Sequence, residues 1–471
     1  MDPPSAPQTP LRPLSNMELF SCSRHHLGIY RCVAITCRYT HSAASSPSPP
    51  ALLDASVLYP ALATLVSAQP MLRVGILGQD RPRPRARFSH LARLDLRAHV
   101  SFDTLPAGAD YEGQLARRQG WLHDQLWPDV EVCAPWRLVV LRPGPGPGPG
   151  PGSDSDSDPP PFYDVIFAFH HSLMDGSSGK AFHEHLLAAL NNPSLSSSLP
   201  FLLGAVWSEH APQFLRPAAP WHGKAIDFSI PHRTRTLAID MAPDVVAALV
   251  AACRAQGTSL TGLVHALVLA SFALRLCPDA SCFAASTPIN LRPYLDPDTS
   301  DPSLRPLLRS LVTGHSHHFP PWAVAALREP DASLDGAIWS AARHIKRELA
   351  QRLATLPADD PAGLLGYIGD WFAFWRAKDG RPRAESWEVS NIGVLSGGGA
   401  AWSIERVFFT NGAMVAGPPL GVNMATAAPA GTLTASLSWQ DTVIPDGFAE
   451  QLAADLASLT RHFHETGKFS F

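Results

Sequence analysis

The chain has 471 residues, which is long for a single hydrophobic core and favours two domains. Hydrophobic residues make up 45% of it and charged residues 17%, as in globular proteins, and a net charge of −4 gives no reason to expect a nucleic-acid partner. The seven cysteines include no Cys-x-x-Cys pair and the polar, proline-rich N-terminus is no secretory signal, so free thiols in a reducing compartment are expected.

The first part of the chain is predicted to alternate helices and strands after a disordered lead over residues 1–11. Ser15 and Glu18 have the spacing of a capping box, which favours a helix beginning there. Hydrophobic periodicity then predicts a strand over residues 29–39, a helix over 52–68, strands over 71–77 and 88–102, a helix over 111–126 and a strand over 136–141.

A low-complexity insert over residues 143–161 alternates Pro with Gly, then Ser with Asp, and ends in three prolines. It offers no core-forming side chain, so we expect a disordered, solvated loop. A phosphate-binding glycine loop is disfavoured, because prolines lack the amide donors that such a loop needs. If the insert joins two neighbouring strands it only lengthens a hairpin, at a cost on the order of 0.6 kcal/mol per doubling of loop length.

The stretch after the insert carries the most specific pattern in the chain. A predicted buried strand over residues 163–169 runs into His170 and His171, then into Asp175 and Gly176, and a helix follows. Successive strand residues point to opposite faces, so only one of the two histidines can face reacting atoms. Asp175 could fix the loop by pairing with a distant cation, and Gly176 permits a turn that a Cβ would obstruct.

Residues 191–235 are rich in Pro and Ser and are predicted to cross over to a second half of alternating helices and strands. There the patterns predict strands over residues 236–240, 282–289, 388–392, 404–410, 421–424 and 432–439, and helices over 242–255, 260–276, 334–353 and 446–464. The apolar helix over 260–276 is shorter than the ~20 residues that span a bilayer. A soluble cytoplasmic protein is therefore expected, with peripheral association with the endoplasmic reticulum or lipid droplets left open.

Polar residues that follow two strands of the second half are further site candidates. Arg292 could be the cation that a buried Asp175 needs, since an isolated carboxylate is costly in a protein interior. The alternative is a surface arginine at a turn. Ser390 and Asn391 could stabilise an oxyanion or contact substrate through hydroxyl or amide donors, the alternative being an ordinary strand end.

The other histidines allow a metal site to be considered. Potential ligands include His183 and His185 and the run from His315 to His318. His183 and His185 cannot share one helical face at a spacing of two, and the sequence contains no His-Glu-x-x-His. A metal-dependent hydrolase stays an alternative, but no metal is expected.

The pattern His170-His171-x-x-x-Asp175-Gly176 after an apolar strand resembles the HHxxxDG motif of the CoA-dependent acyltransferase superfamily. That superfamily includes chloramphenicol acetyltransferase, plant BAHD acyltransferases, peptide-synthetase condensation domains and fungal alcohol acetyltransferases. The opening helix, proline and strand, and the Ser-Asn-x-Gly at residues 390–393, resemble the fungal alcohol acetyltransferases. The plant-type Asp-Phe-Gly-Trp-Gly box is absent, which argues against the BAHD branch.

The resemblance implies an α/β fold of two chloramphenicol acetyltransferase-like subdomains, residues 12–215 and 216–471, with a tunnel between them. It also implies that His171 is the general base of an acyl-CoA-dependent O-acyltransferase, acting in a catalytic motif that includes Asp175. His170, Gly176 and Arg292 would then support the site.

No permanently bound cofactor is implied by the resemblance, because acetyl-CoA or another acyl-CoA is a co-substrate. The acceptor would be a small alcohol or hydroxylated metabolite, and the enzyme a monomer. The alternative is a condensation-like domain that is non-catalytic or uses a carrier-bound acyl donor, although the sequence offers no room for a carrier domain.

Overall fold

The computed structural model describes residues 9–41, 52–83, 85–105, 110–144, 162–191, 220–294, 308–329, 333–356 and 364–471. These ranges form fourteen β-strands and ten α-helices. The strands are β1 (Thr9–Pro13), β2 (Val33–His41), β3 (Val74–Leu77), β4 (Arg87–His90), β5 (Val100–Leu105), β6 (Trp136–Pro143), β7 (Tyr163–Phe169), β8 (Thr234–Met241), β9 (Phe283–Asn290), β10 (Val312–Phe319), β11 (Trp387–Ser396), β12 (Trp402–Asn411), β13 (Leu420–Ala428) and β14 (Leu433–Gln440). The helices are α1 (Asn16–His26), α2 (Ala55–Ala68), α3 (Tyr111–Asp124), α4 (Gly176–Asn191), α5 (Pro243–Ala255), α6 (Leu260–Ser271), α7 (Pro321–Arg328), α8 (Leu334–Ala354), α9 (Trp371–Arg376) and α10 (Phe448–Thr466).

A five-stranded sheet in the order β12-β2-β7-β6-β5 supports the histidine motif. Every residue of β7 is buried, as a continuous apolar run predicts for a central strand. β6 pairs with β7 in antiparallel register, with Leu138 opposite Phe167, so the two strands that flank the insert are neighbours in one sheet, as expected. β7 therefore ends at a fixed point, and the motif begins at His170.

One strand of the second half completes this first sheet. β12 pairs along its length with β2, so that Asn411 lies opposite Val33 and Trp402 opposite His41. The chain thus crosses back from the second half into the sheet that carries the motif. The division between residues 215 and 216 stays a prediction. β12 comes from the sequence after this division, yet it belongs to the sheet of the first half.

A six-stranded sheet in the order β10-β9-β11-β13-β14-β8 forms the second half. β11 is parallel to both of its neighbours, whereas the other adjacent pairs are antiparallel. Helices α6, α8 and α10 pack on this sheet around a second core that includes Phe272, Trp387 and Leu452. Among the described residues no single helix is long and apolar enough to cross a membrane. Two helical segments joined by a bend of 99°, Pro243–Ala255 and Leu260–Leu276, reach that length and hydrophobicity only when they are counted together.

Several local predictions are confirmed. Ser15 and Glu18 form a capping box, in which each side chain receives a hydrogen bond from the other residue's backbone N–H. The helices that close the second half and follow the motif lie where periodicity placed them. All seven cysteines are free thiols.

The expected disorder at the N-terminus is wrong for residues 9–11. These residues belong to β1, where Thr9 lies opposite His90 and Pro10 opposite Ser89 of β4. Pairing with a distant strand orders a segment whose own composition favours no structure. Residues 1–8 and the crossover residues 192–219 lie outside the described residues.

The predicted start of the insert also needs correction. Pro143 still belongs to β6 and lies opposite Leu105, so the insert begins beyond it. Residues 145–161, which include most of the insert, lie outside the described residues.

Strand β10 and helices α7 and α9 were not predicted. β10 has the polar sequence VTGHSHHF and lies at the edge of the second sheet, paired with β9. Thr313, His317 and Phe319 are buried while Gly314 and His318 are exposed, which is the alternation of a half-covered edge strand. The period-two pattern could not be recognised in the sequence, because whether a histidine is buried depends on its partners in other elements.

Candidate active site

A cavity of about 900 Å³ lies where the two halves meet, and the motif opens onto it. Residues of the first half that line it include Arg24 of α1 and His171 and Gly176 of the motif. The second half contributes, among others, Glu388 and Ser390 of β11. A pocket with apolar walls and a few converging polar groups is the usual form of a small-molecule site.

The two histidines follow the last residue of β7 and point in different directions. His170 is fully buried, accepts a hydrogen bond from the Ser172 N–H to Nδ1 at 3.0 Å, and packs against the His25 ring at a centroid distance of 4.4 Å. Burial, with the charges of neighbouring groups, lowers the pKa of His170 well below its ordinary value. His171 instead lines the cavity. His170 therefore fixes the strand end in the core, and His171 is the ring available to a substrate.

His171 is held in its neutral form. Burial and then the positive charge of Arg24 lower its pKa to about 4, against the opposing effects of backbone hydrogen bonds and the charge of Asp175. Its Nδ1 atom is buried, so the Nε2 edge of the ring is the one left for the cavity. At pH 7 this imidazole is a free base.

Asp175 joins the motif to the second half of the chain. Its carboxylate accepts hydrogen bonds from the Arg292 guanidinium at 3.0 and 3.1 Å and from the Leu311 N–H at 2.8 Å. It also accepts the Ser178 N–H at 2.8 Å, the bond that a helix N-cap makes, at the start of α4. The structure thus brings Asp175 and Arg292 together, with side chains only 5% and 12% exposed.

Gly176 is required for packing. A Cβ on this residue would lie 2.9 Å from both Ile392 Cγ2 and Phe409 Cζ, which is shorter than real Cβ contacts. Gly176 is the first residue of α4 and is absent from the glycines with positive φ. The expected obstruction of a Cβ is therefore present, and it comes from the close approach of β11 and β12 and not from a positive φ.

Ser390 and Asn391 are separated by the alternation of β11. Ser390 is buried and lines the cavity. Asn391 is exposed, donates to Thr261 Oγ1 at 3.2 Å and accepts the Gly393 N–H at 2.8 Å. Asn391 therefore lies on the exposed face of β11, where the pairing with β13 shifts register, and only Ser390 is placed to meet a substrate.

Sequence reasoning missed several charged residues of the cavity wall, among them Arg24 and Glu388. The Arg24 guanidinium lies over the Phe20 and Tyr30 rings, at 4.1 and 4.5 Å from their centroids. Among the described residues, Ser286 and Asn411 donate long hydrogen bonds, 3.4 Å each, to Glu388. Burial and then the charge of Glu385 raise the pKa of Glu388 to about 7. The one signal in the sequence is a glutamate between Trp387 and Val389, two apolar residues of β11.

The histidines weighed as metal ligands do not assemble as one set. His183 is fully buried, with Nδ1 3.1 Å from the Tyr39 hydroxyl and Nε2 3.1 Å from the Ile35 carbonyl oxygen. His185 lies 3.3 Å from Gln69. Both are satisfied by neighbours in the first half and lie apart from His315.

The fall of kcat/KM at acid pH should reflect the low pKa of His171. If this ring is the base, kcat/KM should be independent of its protonation down to about pH 4 and fall about tenfold per pH unit below that. Glu388 titrates near pH 7 in the same cavity, so Glu388→Gln serves to remove its contribution. The measurement is kcat/KM against pH, with circular dichroism at each pH to confirm folding. If kcat/KM of Glu388→Gln still fell below about pH 6.5, the lowered pKa of His171 would be contradicted.

Comparisons with known proteins agree with this geometry. No known protein-family model matches the chain. It is 26% identical over 432 aligned residues to a probable alcohol acetyltransferase of Fusarium pseudograminearum, covering 84% of each chain. It is 25% identical over 481 aligned residues to a probable alcohol acetyltransferase of Aspergillus fumigatus, covering 93% of this chain and 96% of that protein.

Solved structures share the fold at lower sequence identity. The trichothecene 15-O-acetyltransferase from Fusarium sporotrichioides superposes with a TM-score of 0.66 at 12% identity, covering 98% of this chain and 96% of that one. The condensation domain from Monacolin K polyketide synthase superposes with a TM-score of 0.60 at 12% identity, covering 98% and 99%.

Fold and motif together define a protein of the class built from two chloramphenicol acetyltransferase-like subdomains, as the sequence predicted. Within that class the chain is an acyltransferase, and it is similar to fungal alcohol acetyltransferases.

Proposed function

We propose that the protein transfers an acyl group, in the first instance acetyl, from acyl-CoA to the hydroxyl of a small alcohol or hydroxylated metabolite. The observation that carries this proposal is His171, a neutral imidazole presented to a cavity between the two halves. Two relatives that carry the name alcohol acetyltransferase support the choice of acyl group and acceptor.

The proposed reaction needs no covalent intermediate with the enzyme. His171 takes the hydroxyl proton as the acceptor oxygen attacks the thioester carbonyl carbon, which forms a tetrahedral oxyanion. The carbon–sulfur bond then breaks, and the imidazolium returns the proton to the CoA thiolate. Ser390, which lines the same cavity, is the candidate hydroxyl donor to the oxyanion. Arg24 opposes charge on the ring, so the imidazolium is a short-lived state in this site.

A condensation-like function is the second candidate, favoured by the likeness to a condensation domain over nearly the whole of both chains. Such a domain would take its acyl donor from a carrier protein or would not catalyse transfer. The two candidates differ in whether free acyl-CoA is consumed.

The test is a matrix of acyl-CoAs against alcohols, with release of the free CoA thiol followed over time. Thiol release that depends on both an alcohol and the enzyme, and that is lost in His171→Ala, is the expected result. Parallel reactions with an acyl group on a carrier-protein phosphopantetheine test the second candidate. Transfer from the carrier protein without any consumption of acyl-CoA would overturn the first proposal.

A further inference from the structure

A second group of histidines lies where β10 crosses α8. His315 and His317 are two residues apart on β10, so their side chains leave the same face of the strand. His344 and Glu348 are four residues apart on α8, so they lie on the same face of the helix. We refer to these four residues as the β10–α8 cluster.

The distances within the cluster suit ligands around one ion. His317 Nδ1 lies 2.7 Å from one carboxylate oxygen of Glu348, and His344 Nε2 lies 3.3 Å from the other. One potential ligand atom from each of His315, His317 and Glu348 lies within 4.8 Å of the others. A tetrahedral zinc site with bonds of about 2.0–2.1 Å places its ligand atoms roughly 3.4 Å apart. Ligand atoms of His315, His317 and Glu348 would have to approach one another by roughly 1 Å to reach that spacing, and His344 lies outside this group of three.

The surroundings of His317 are those of a supported metal ligand. Its second ring nitrogen, Nε2, lies 2.9 Å from the Thr287 hydroxyl. That hydroxyl also lies 2.8 Å from His265 Nε2, and His265 in turn accepts the Trp387 indole N–H at 3.0 Å. Metal-binding histidines commonly have their other nitrogen fixed in this way, which sets the tautomer and the ring orientation.

His315 supplies an independent sign of a missing partner. Its Nε2 atom is buried and makes no hydrogen bond to any described residue. Buried polar atoms are normally satisfied, so such a nitrogen calls for a ligand, an ion or a water molecule.

We propose that the β10–α8 cluster binds a divalent cation of the zinc class, with His315, His317 and Glu348 as ligands and His344 as the fourth donor. Two or three imidazoles with one carboxylate are donors that Zn²⁺ accepts. The ion would connect the edge strand β10 to α8. His315 and Thr287 also line the cavity that His171 faces, so the ion would hold one wall of that cavity. The positive charge of Arg352 acts on His315 and opposes the binding of a cation, which sets a limit on affinity.

Zinc binding to the full chain tests the proposal. After chelator treatment, titration with ZnCl₂ in a calorimeter, with metal analysis after dialysis, should give about one ion per chain. His315→Ala and Glu348→Gln should each raise the dissociation constant for zinc roughly tenfold or more. His344→Ala, which removes a side chain 45% exposed and cannot disturb the core, should weaken it as well.

The matched control is His318→Ala. His318 is exposed, lies next to His317 on the same strand, and points to the other face, so its removal should leave zinc binding unchanged. Absence of stoichiometric binding, or equal losses in His318→Ala and His315→Ala, would overturn the site. Neither result bears on acyl transfer, which rests on His171.

Discussion

Replacing His171 by Ala is expected to lower the rate of acyl transfer by about 10²–10⁴-fold while the protein still folds and binds CoA. An acceptor hydroxyl has a pKa far above neutrality, so it attacks a thioester slowly until a base begins to take its proton. His171 is the neutral imidazole that lines the cavity, and its pKa of about 4 keeps it unprotonated at pH 7. The measurement is kcat for CoA-thiol release, alongside CoA affinity by calorimetry.

His170→Ala is the comparison that isolates this role. The His170 ring is fully buried against His25, so its loss should reduce stability or solubility through packing. Near-full activity in His171→Ala, with a clean loss of activity in a folded His170→Ala, would reverse the assignment of the base. If neither change affected thioester consumption, the acyltransferase reaction itself would be ruled out at this site.

The local parts of this structure could be predicted because their causes are local. Residues close together in the sequence determine the apolar run of β7, the Ser15–Glu18 capping box and the periodicity of α10. The pairing of Asp175 with Arg292 could also be anticipated, because a buried carboxylate requires a cation. The family resemblance identified the position of that cation.

The parts that could not be predicted depend on contacts between distant segments. Arg24 and Glu388 are far apart in the sequence and share a cavity only after both halves have folded. β1 is ordered by pairing with β4, and nothing in its own composition signals this.

Strand alternation separates Ser390 from Asn391, because they are successive residues of β11, and only Ser390 lies in the cavity. His170 and His171 also point in different directions, although both lie just beyond the end of β7. The reason for Gly176 could not be read from the motif, because the side chains that exclude a Cβ belong to Ile392 and Phe409.

The contact between Asp175 and Arg292 carries the largest stability effect that we expect. Burial alone raises the pKa of Asp175, but the Arg292 charge and hydrogen bonds from Arg292, Leu311 and Ser178 outweigh it, so the pKa lies below its ordinary value. A carboxylate whose pKa is depressed on folding contributes stability above its unfolded pKa of about 3.9, and this contribution is lost as the pH falls through the folded value. The contribution is therefore fully present at pH 7.

Asp175→Ala should lower the free energy of unfolding by roughly 3–5 kcal/mol at pH 7, because it leaves the Arg292 guanidinium buried without its carboxylate. Asp110→Ala is the matched control, since Asp110 also precedes a helix and pairs with an arginine, Arg117, at 2.8 Å, but with side chains 61% and 66% exposed. That change should cost no more than about 1 kcal/mol. Urea unfolding of both variants measures the difference, and a double-mutant cycle with Arg292→Ala isolates the coupling between the two side chains. Equal losses in the two aspartate variants would show that Asp175 does not join the halves, and its place in the motif would then need a catalytic explanation.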